Sequence, residues 1–126
     1  MKSFLITTVI FTHYIACALA LADDTSRLEF FESKIRPALV KHCYPCHSVE
    51  SGKSKGGLLL DSRTGWQVGG DSGPAIIPLK PEESLVLLAI SQSGESSDMP
   101  PDGRLSKAIV QDFEAWIAAG AIDPRN

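Results

Sequence analysis

The chain has 126 residues, with 12 lysines and arginines against 15 aspartates and glutamates, and 7% of its residues are aromatic. This length suits one small domain. The charge is mixed, and no basic stripe with interleaved aromatic residues occurs, which argues against a nucleic-acid partner.

The first 22 residues have the pattern of a secretory signal. Lys2 supplies the positive charge, Phe4 to Ile15 is mostly apolar, and Ala20-Leu21-Ala22 is an A-x-A cleavage site. We therefore expect residues 1–22 to be a signal peptide and residues 23–126 to form one exported, periplasmic domain. Two alternatives stay open: an uncleaved membrane anchor, and a lipoprotein attached through Cys17.

The next segment predicts an interrupted helix. Thr25 or Ser26 can provide its N-cap, and Pro37 inside the helical pattern predicts a break or kink near Arg36. Pro37 would then be the first residue of a second short helix that leads to Cys43. The apolar residues of the stripe recur at helical spacing: Leu28, Phe31, Ile35 and Leu39.

Residues Cys43-Tyr44-Pro45-Cys46-His47 form a C-x-x-C-H sequence, the signature of covalent haem attachment. Each thiol can add to one haem vinyl group, and the adjacent His47 can then donate its imidazole to the iron as the proximal ligand. In an oxidising compartment Cys43 and Cys46 can instead form a disulfide. A thiol–disulfide protein is expected to show a βαβ pattern, which this sequence lacks.

The middle of the chain predicts loops and short helices. Ser48 to Gly57 is polar and glycine-rich, as in a solvated loop, and Ser62 can cap a short helix through Val68 that carries Trp66. Residues Gly69 to Pro74 predict a tight loop.

Two further helices follow. Pro81 with Glu82 and Glu83 predicts a helix start, and the apolar run after it predicts burial on most faces. Ser106 can cap the last helix, and Gly120 suits its C-terminal end. No segment alternates convincingly with period two. The apolar face of the last helix comprises Ile109, Phe113 and Ile117.

Met99 is the one methionine beyond the signal segment, and it lies in a polar loop followed by Pro100 and Pro101. A thioether is a soft ligand that suits haem iron, and the prolines stiffen the loop that would hold it. We therefore predict Met99 as the sixth iron ligand. His42 directly precedes Cys43 and is interpreted as a surface residue or a neighbour of a haem propionate.

These segments together resemble a monohaem c-type cytochrome, specifically the planctomycete-type cytochrome c domain, over about Phe30 to Pro124. That family domain often lies at the front of longer chains, so the sequence is either a free-standing domain or the front of a longer protein. The segments that carry the resemblance are Ile35–Leu39, Cys43–His47, Gly57–Arg63, Gly69–Ala75, Pro81–Leu85, Met99–Pro101 and Trp116–Ala121.

The resemblance implies an all-α fold, a class I-like cytochrome c fold of short helices and loops around one covalently attached haem c. It implies thioethers from Cys43 and Cys46 and axial ligands from His47 and Met99, hence an electron-transfer protein rather than an enzyme. The open alternative is a haem enzyme or gas sensor with a labile sixth ligand. Arg63 could neutralise a haem propionate or be an exposed loop arginine. Trp66 could pack on the haem edge or fill the core, and the core is favoured.

The signal segment contains Lys2 as its one charged residue, so its removal leaves 11 basic and 15 acidic residues, a net charge of −4. Haem propionates would add to this negative charge. We therefore expect a redox partner protein that docks through a basic patch.

Overall fold

The computed structural model describes residues 23–94 and 97–126, so the predicted signal segment, residues 1–22, lies outside the described residues. About half of the described residues are helical. Within these residues no helix is long and apolar enough to cross a membrane.

The first helical segment runs from residue 23 to His42 without a break. Its first part, α1, covers residues 23–30, a π-helical turn covers Phe31–Ile35, and α2 covers Arg36–His42 with Pro37 in its first turn. The predicted irregularity near Arg36 is confirmed, but it takes the form of a π-helical turn rather than a break. Such a turn lets the helix pass a residue that lacks an N–H donor.

Two predictions for α1 are wrong. Thr25 and Ser26 lie inside the helix rather than at its N-cap, and the Ser26 hydroxyl donates to the Asp23 carbonyl. Leu28 is 38% exposed, whereas Phe31, Ile35 and Leu39 are buried as predicted. The π-helical turn explains the difference, because its extra residue rotates the preceding part of the helix away from the shared apolar face.

A small antiparallel sheet follows the C-x-x-C-H segment. Strand β1 is His47–Ser48 and strand β2 is Lys53–Ser54, with His47 opposite Ser54 and Ser48 opposite Lys53. A short 3₁₀ turn, Lys55–Gly57, comes next. The all-α prediction is therefore incomplete, and the loop predicted for residues 48–57 contains a hairpin. Strands of two residues are too short for a period-two pattern to be recognised.

The remaining helices begin close to where their caps predict. Ser62 caps α3, Arg63–Val68, by accepting from the Gly65 amide, and Ser106 caps α5, Lys107–Ala118, by accepting from the Ile109 amide. Pro81 does start a helical segment, a 3₁₀ turn over Pro81–Glu83. Ser84 separates that turn from α4, Leu85–Ser91.

The core is an aromatic cluster between the N-terminal helices, α3 and α5. Trp116 lies at its centre, with ring centroids 5.7 Å from Phe31 and 6.1 Å from both Trp66 and Phe113. Trp66 is therefore a core residue, as the sequence favoured. Aromatic pairs at these distances stabilise a fold beyond the area that they bury. Around this cluster the helices leave one side of the molecule open.

Candidate haem site

That open side is a cavity of about 780 Å³, within the size range of cofactor sites. The four residues predicted from the sequence all line it: Cys43, Cys46, His47 and Met99. Apolar side chains from four parts of the chain supply much of the remaining wall. They are Leu58, Leu60, Ala75, Leu85, Val86, Ile90 and Ile109.

The imidazole of His47 is fixed by a backbone carbonyl. Its Nδ1 lies 3.2 Å from the Leu58 carbonyl oxygen, and that oxygen can only accept. Nδ1 must therefore carry the proton and donate, which leaves Nε2 with its lone pair. A second backbone bond, from the Leu60 amide to the His47 carbonyl at 2.9 Å, holds the same strand in place. This is the usual arrangement of a metal-binding histidine, in which the second ring nitrogen donates to a carbonyl and fixes the tautomer.

The two thiols lie on a tight turn at the end of α2. The amides of Cys46 and His47 both donate to the Cys43 carbonyl, at 3.1 and 3.0 Å. Both cysteines are free thiols, and burial raises the pKa of Cys43 to about 11. At neutral pH the Cys43 thiol is consequently protonated, unlike the low-pKa thiolates of disulfide exchangers.

Met99 reaches the cavity from a loop. It is half-buried and packs against the hydrophobic core, and its amide donates to the Ala89 carbonyl of α4 at 3.1 Å. The Met99–Pro100 peptide bond is cis. The loop thus presents the thioether at the cavity that also receives His47.

Helix α4 shows that this cavity suits a large apolar group. Its sequence predicts burial on most faces, yet only Val86 and Ile90 of this helix are buried. Leu85 and Ala89, together with those two, line the cavity. An apolar helix face that borders an open cavity would be buried by a flat apolar group such as a porphyrin. The residues present therefore fit covalent haem.

Charged groups surround the cavity with both signs. Lys41, Lys55 and Arg104 line it, as do Asp71 and Asp102. Half-buried His42 also lines the cavity. Arg63 is exposed and is not among the cavity residues, so its position gives no support to a role beside a haem propionate. The cations on the cavity wall are the better-placed candidates for that role.

A buried ion pair braces the C-x-x-C-H segment from behind. Arg125 donates to both carboxylate oxygens of Asp123, at 2.9 and 2.6 Å, and Trp66 donates to the same carboxylate at 2.9 Å. The guanidinium also donates to the Tyr44 hydroxyl and to the Leu60 carbonyl at 2.9 Å. Tyr44 lies between the two cysteines, so this cluster links the attachment segment to the core.

The cluster sets the charge states of its members. Burial alone would raise the pKa of Asp123, but hydrogen bonds from Arg125 and Trp66, with the positive charge of Arg125, outweigh burial and lower it. Burial opposes the charged form of Arg125 too, yet its bonds to Asp123 raise its pKa. Both groups are therefore ionised at neutral pH, as a buried pair must be to repay its desolvation.

Comparison with known proteins agrees with this geometry. Residues 43–103 match the family described as Planctomycete cytochrome C. The chain carries a planctomycete-type cytochrome c domain. The matched range begins at the first thiol and ends just beyond Met99, so it spans every predicted site residue. Searches of curated proteins and of solved structures found no match.

A cytochrome c domain implies covalently bound haem c and haem-based electron transfer. Sequence reasoning missed the groups that hold the site residues in place: the Leu58 carbonyl, the pair of Gln92 and Arg104 beside the Met99 loop, and Arg125. The Leu58 contact is made by the backbone, which no side-chain pattern signals. Arg125 reaches Tyr44 across 81 residues.

Proposed function

We propose that this cytochrome c domain is an exported monohaem c-type cytochrome that transfers single electrons through an iron ligated by His47 and Met99. Cys43 and Cys46 would hold the haem as thioethers. When bound, the haem supplies a one-electron couple between ferric and ferrous iron. The observation that carries the proposal is that both thiols, a histidine with a free Nε2 and the thioether line one apolar-walled cavity.

The chain's own residues would keep this couple six-coordinate and shielded. Leu58 fixes the His47 tautomer, and the apolar wall around α4 limits the access of water. A thioether ligand favours ferrous iron and so raises the reduction potential. A filled coordination sphere favours electron exchange over substrate binding. We therefore prefer the proposal of an electron-transfer protein to that of a haem enzyme or gas sensor.

The experiment that tests this proposal is spectroscopy on protein produced with a haem-attachment system. We expect haem that stays bound after denaturation, one iron per chain, a c-type α band on reduction, and the weak red methionine–iron band on oxidation. Absence of covalent haem would overturn the proposal as a whole. Rapid carbon monoxide binding by the native protein would favour the gas sensor or haem enzyme.

The ligand assignment has a separate test in Met99→Ala. We expect this variant to lose the red band and to bind carbon monoxide, while haem attachment through Cys43 and Cys46 is unchanged. Leu105→Ala, which removes another half-buried apolar residue packed against the core, serves as the matched control and should keep the band. Survival of the band in Met99→Ala would show that another group ligates the iron, and His42 would be examined next.

We also propose a periplasmic location and a redox partner protein. The net negative charge beyond residue 22 favours a partner with a basic patch. The cavity wall itself carries Lys41, Lys55 and Arg104. Electron-transfer rates with acidic and basic partner proteins, measured against ionic strength, would decide which charges the partner meets.

A further inference from the structure

The loop that carries Met99 is held at its base by a side-chain pair. Gln92 lies immediately after α4, as its C-cap residue, and Arg104 lies 12 residues further along the chain. The Arg104 Nε donates to the Gln92 side-chain oxygen at 3.0 Å, and its Nη2 donates to the Gln92 carbonyl at 3.1 Å. One guanidinium thus joins the two ends of the segment that contains Met99.

The bond from Arg104 also sets the orientation of the Gln92 amide. A guanidinium has no acceptor, so the Gln92 oxygen must face Arg104 and the NH₂ group must face away. That NH₂ group lies 3.5 Å from both the Met99 and the Pro100 carbonyl oxygens. These contacts are at the outer limit of a hydrogen bond. They nevertheless direct the two N–H groups of the Gln92 side chain toward the backbone of Met99 and Pro100.

The backbone of Gln92 adopts an uncommon conformation that the bond from Arg104 stabilises. Its φ of 50° and ψ of 48° are left-handed, a conformation that is uncommon for residues other than glycine. The bond from Arg104 to its carbonyl stabilises this conformation, in which Gln92 ends α4 and turns the chain toward the loop. Arg104 has no carboxylate partner among the ion pairs of residues 23–94 and 97–126.

We propose that Arg104 is a positioning residue that fastens the Met99 loop to the C-terminal end of α4 through Gln92. The inference rests on the proposed function in so far as Met99 is the iron ligand. A loop whose ends are joined has less conformational freedom, so it loses less entropy when one of its side chains binds a metal. Arg104 would therefore strengthen methionine ligation without touching the iron or the sulfur.

The test compares Arg104→Gln and Arg104→Lys with Arg63→Gln. All three are made in the haem-loaded protein. Arg104→Lys keeps the positive charge but cannot form both bonds at once, and Arg63→Gln removes an exposed arginine that is not among the cavity residues. We expect Arg104→Gln to raise the carbon monoxide affinity of the ferrous protein about tenfold, as two lost hydrogen bonds would, and Arg104→Lys to raise it about threefold, as one lost bond would. Arg63→Gln should change it less than about twofold.

Hydrogen exchange provides a readout that does not pass through the iron. The Met99 amide, bonded to Ala89, should exchange about tenfold faster in Arg104→Gln and about threefold faster in Arg104→Lys, while amides of α5 keep their protection. Gln92→Ala should produce a smaller increase than Arg104→Gln, because the bond from Arg104 to the backbone carbonyl of residue 92 remains. Gln92→Ala combined with Arg104→Gln should exceed Arg104→Gln alone only slightly.

The outcomes separate this inference from the proposed function. A native protein without the red band would contradict Met99 ligation, and faster exchange in the Arg104 variants would still support the loop fastening. Equal exchange rates of the Met99 amide in Arg104→Gln and Arg63→Gln would overturn it. Equal loss of protection in the loop and in α5 would also overturn it, because the effect would then be global unfolding rather than release of one loop.

Discussion

The segment that carries His47 and the loop that carries Met99 face the same cavity but are held in different ways. On the His47 side, Ser48 and Arg125 are buried, the ring is bonded to Leu58, and Tyr44 is joined to Arg125. On the Met99 side, one backbone bond to Ala89 and the exposed Arg104 fasten an otherwise polar loop. A group attached on the first side would be fixed by the core, whereas Met99, the proposed ligand on the second side, is held by local contacts, so we expect it to be the more easily displaced of the two.

The largest effect that tests this difference is expected from Arg125→Ala. Removing the guanidinium leaves the buried Asp123 carboxylate without its counter-charge, which costs about 3–5 kcal/mol in the free energy of unfolding. Urea unfolding of the haem-loaded protein, followed by far-UV circular dichroism, measures this loss.

Arg27→Ala is the matched control for Arg125→Ala. Arg27 also pairs with an aspartate, Asp23, at 2.6 Å, but both side chains are largely exposed, so its loss should cost about 0–1 kcal/mol. Equal losses in the two variants would show that the His47 side is not braced by the buried pair.

Gly69 and Gly94 provide the next comparison, because both have positive φ but different surroundings. A Cβ at Gly69 would lie 1.9 Å from the Gly73 carbonyl oxygen, whereas a Cβ at Gly94 meets nothing within 4 Å. Gly69→Ala should therefore cost about 3 kcal/mol through strain and overlap, and Gly94→Ala about 1 kcal/mol from φ alone.

Gly69 begins the glycine loop that borders the cavity on the His47 side, where the Asp71 amide donates to the Gly56 carbonyl at 2.7 Å. Thermal unfolding of the two glycine variants provides the measurement. A Gly94 variant as unstable as the Gly69 variant would contradict the expectation that a side chain at residue 94 meets open space.

The last comparison concerns the pH dependence of the buried pair. The lowered pKa of Asp123 means that its contribution to stability is fully present above the unfolded value of about 3.9 and is lost as pH falls through the folded value. Asp123→Asn should be less stable than the native protein at pH 7, and the difference should shrink as the pH falls below about 4. Urea unfolding between pH 3 and pH 7 measures it.

Glu83→Gln is the control for the pH series. Glu83 forms an exposed pair with Lys80 at 2.9 Å, so its loss should change the pH dependence little. The groups that face Asp123 are Arg125 and the Trp66 indole, with Tyr44 joined through Arg125. A difference between native protein and Asp123→Asn that does not change with pH would contradict the lowered pKa.

The features that could be predicted from sequence are those that depend on neighbouring residues. The caps at Ser62 and Ser106 act within three residues, and the π-helical turn precedes the proline that predicts an irregularity. The four residues of the candidate site were predicted because the thiols and His47 form one short motif and Met99 is stiffened by the prolines beside it. They line one cavity, but their bonds to iron stay a prediction, as does the class I-like fold.

The features that could not be predicted depend on distant residues or on the backbone. The β1–β2 hairpin has strands too short to show a pattern. The Leu58 carbonyl belongs to the backbone, so no side-chain pattern indicates its contact with His47. Nothing in the sequence distinguishes Arg125 from the other arginines, because its contacts with Asp123 and Tyr44 exist only in the folded chain. The same holds for Arg104, whose partner Gln92 resembles any polar residue at a helix end.

The contact between Arg125 and Tyr44 has a consequence for the order of folding. It joins residues 81 apart in the chain, and contacts that close such long loops carry a large entropy cost and tend to form late. We therefore expect the segment from Cys43 to His47 to remain open while the helices are already forming. During that interval we expect both thiols to be accessible to an attachment enzyme, and the contact between Arg125 and Tyr44 to close only afterwards.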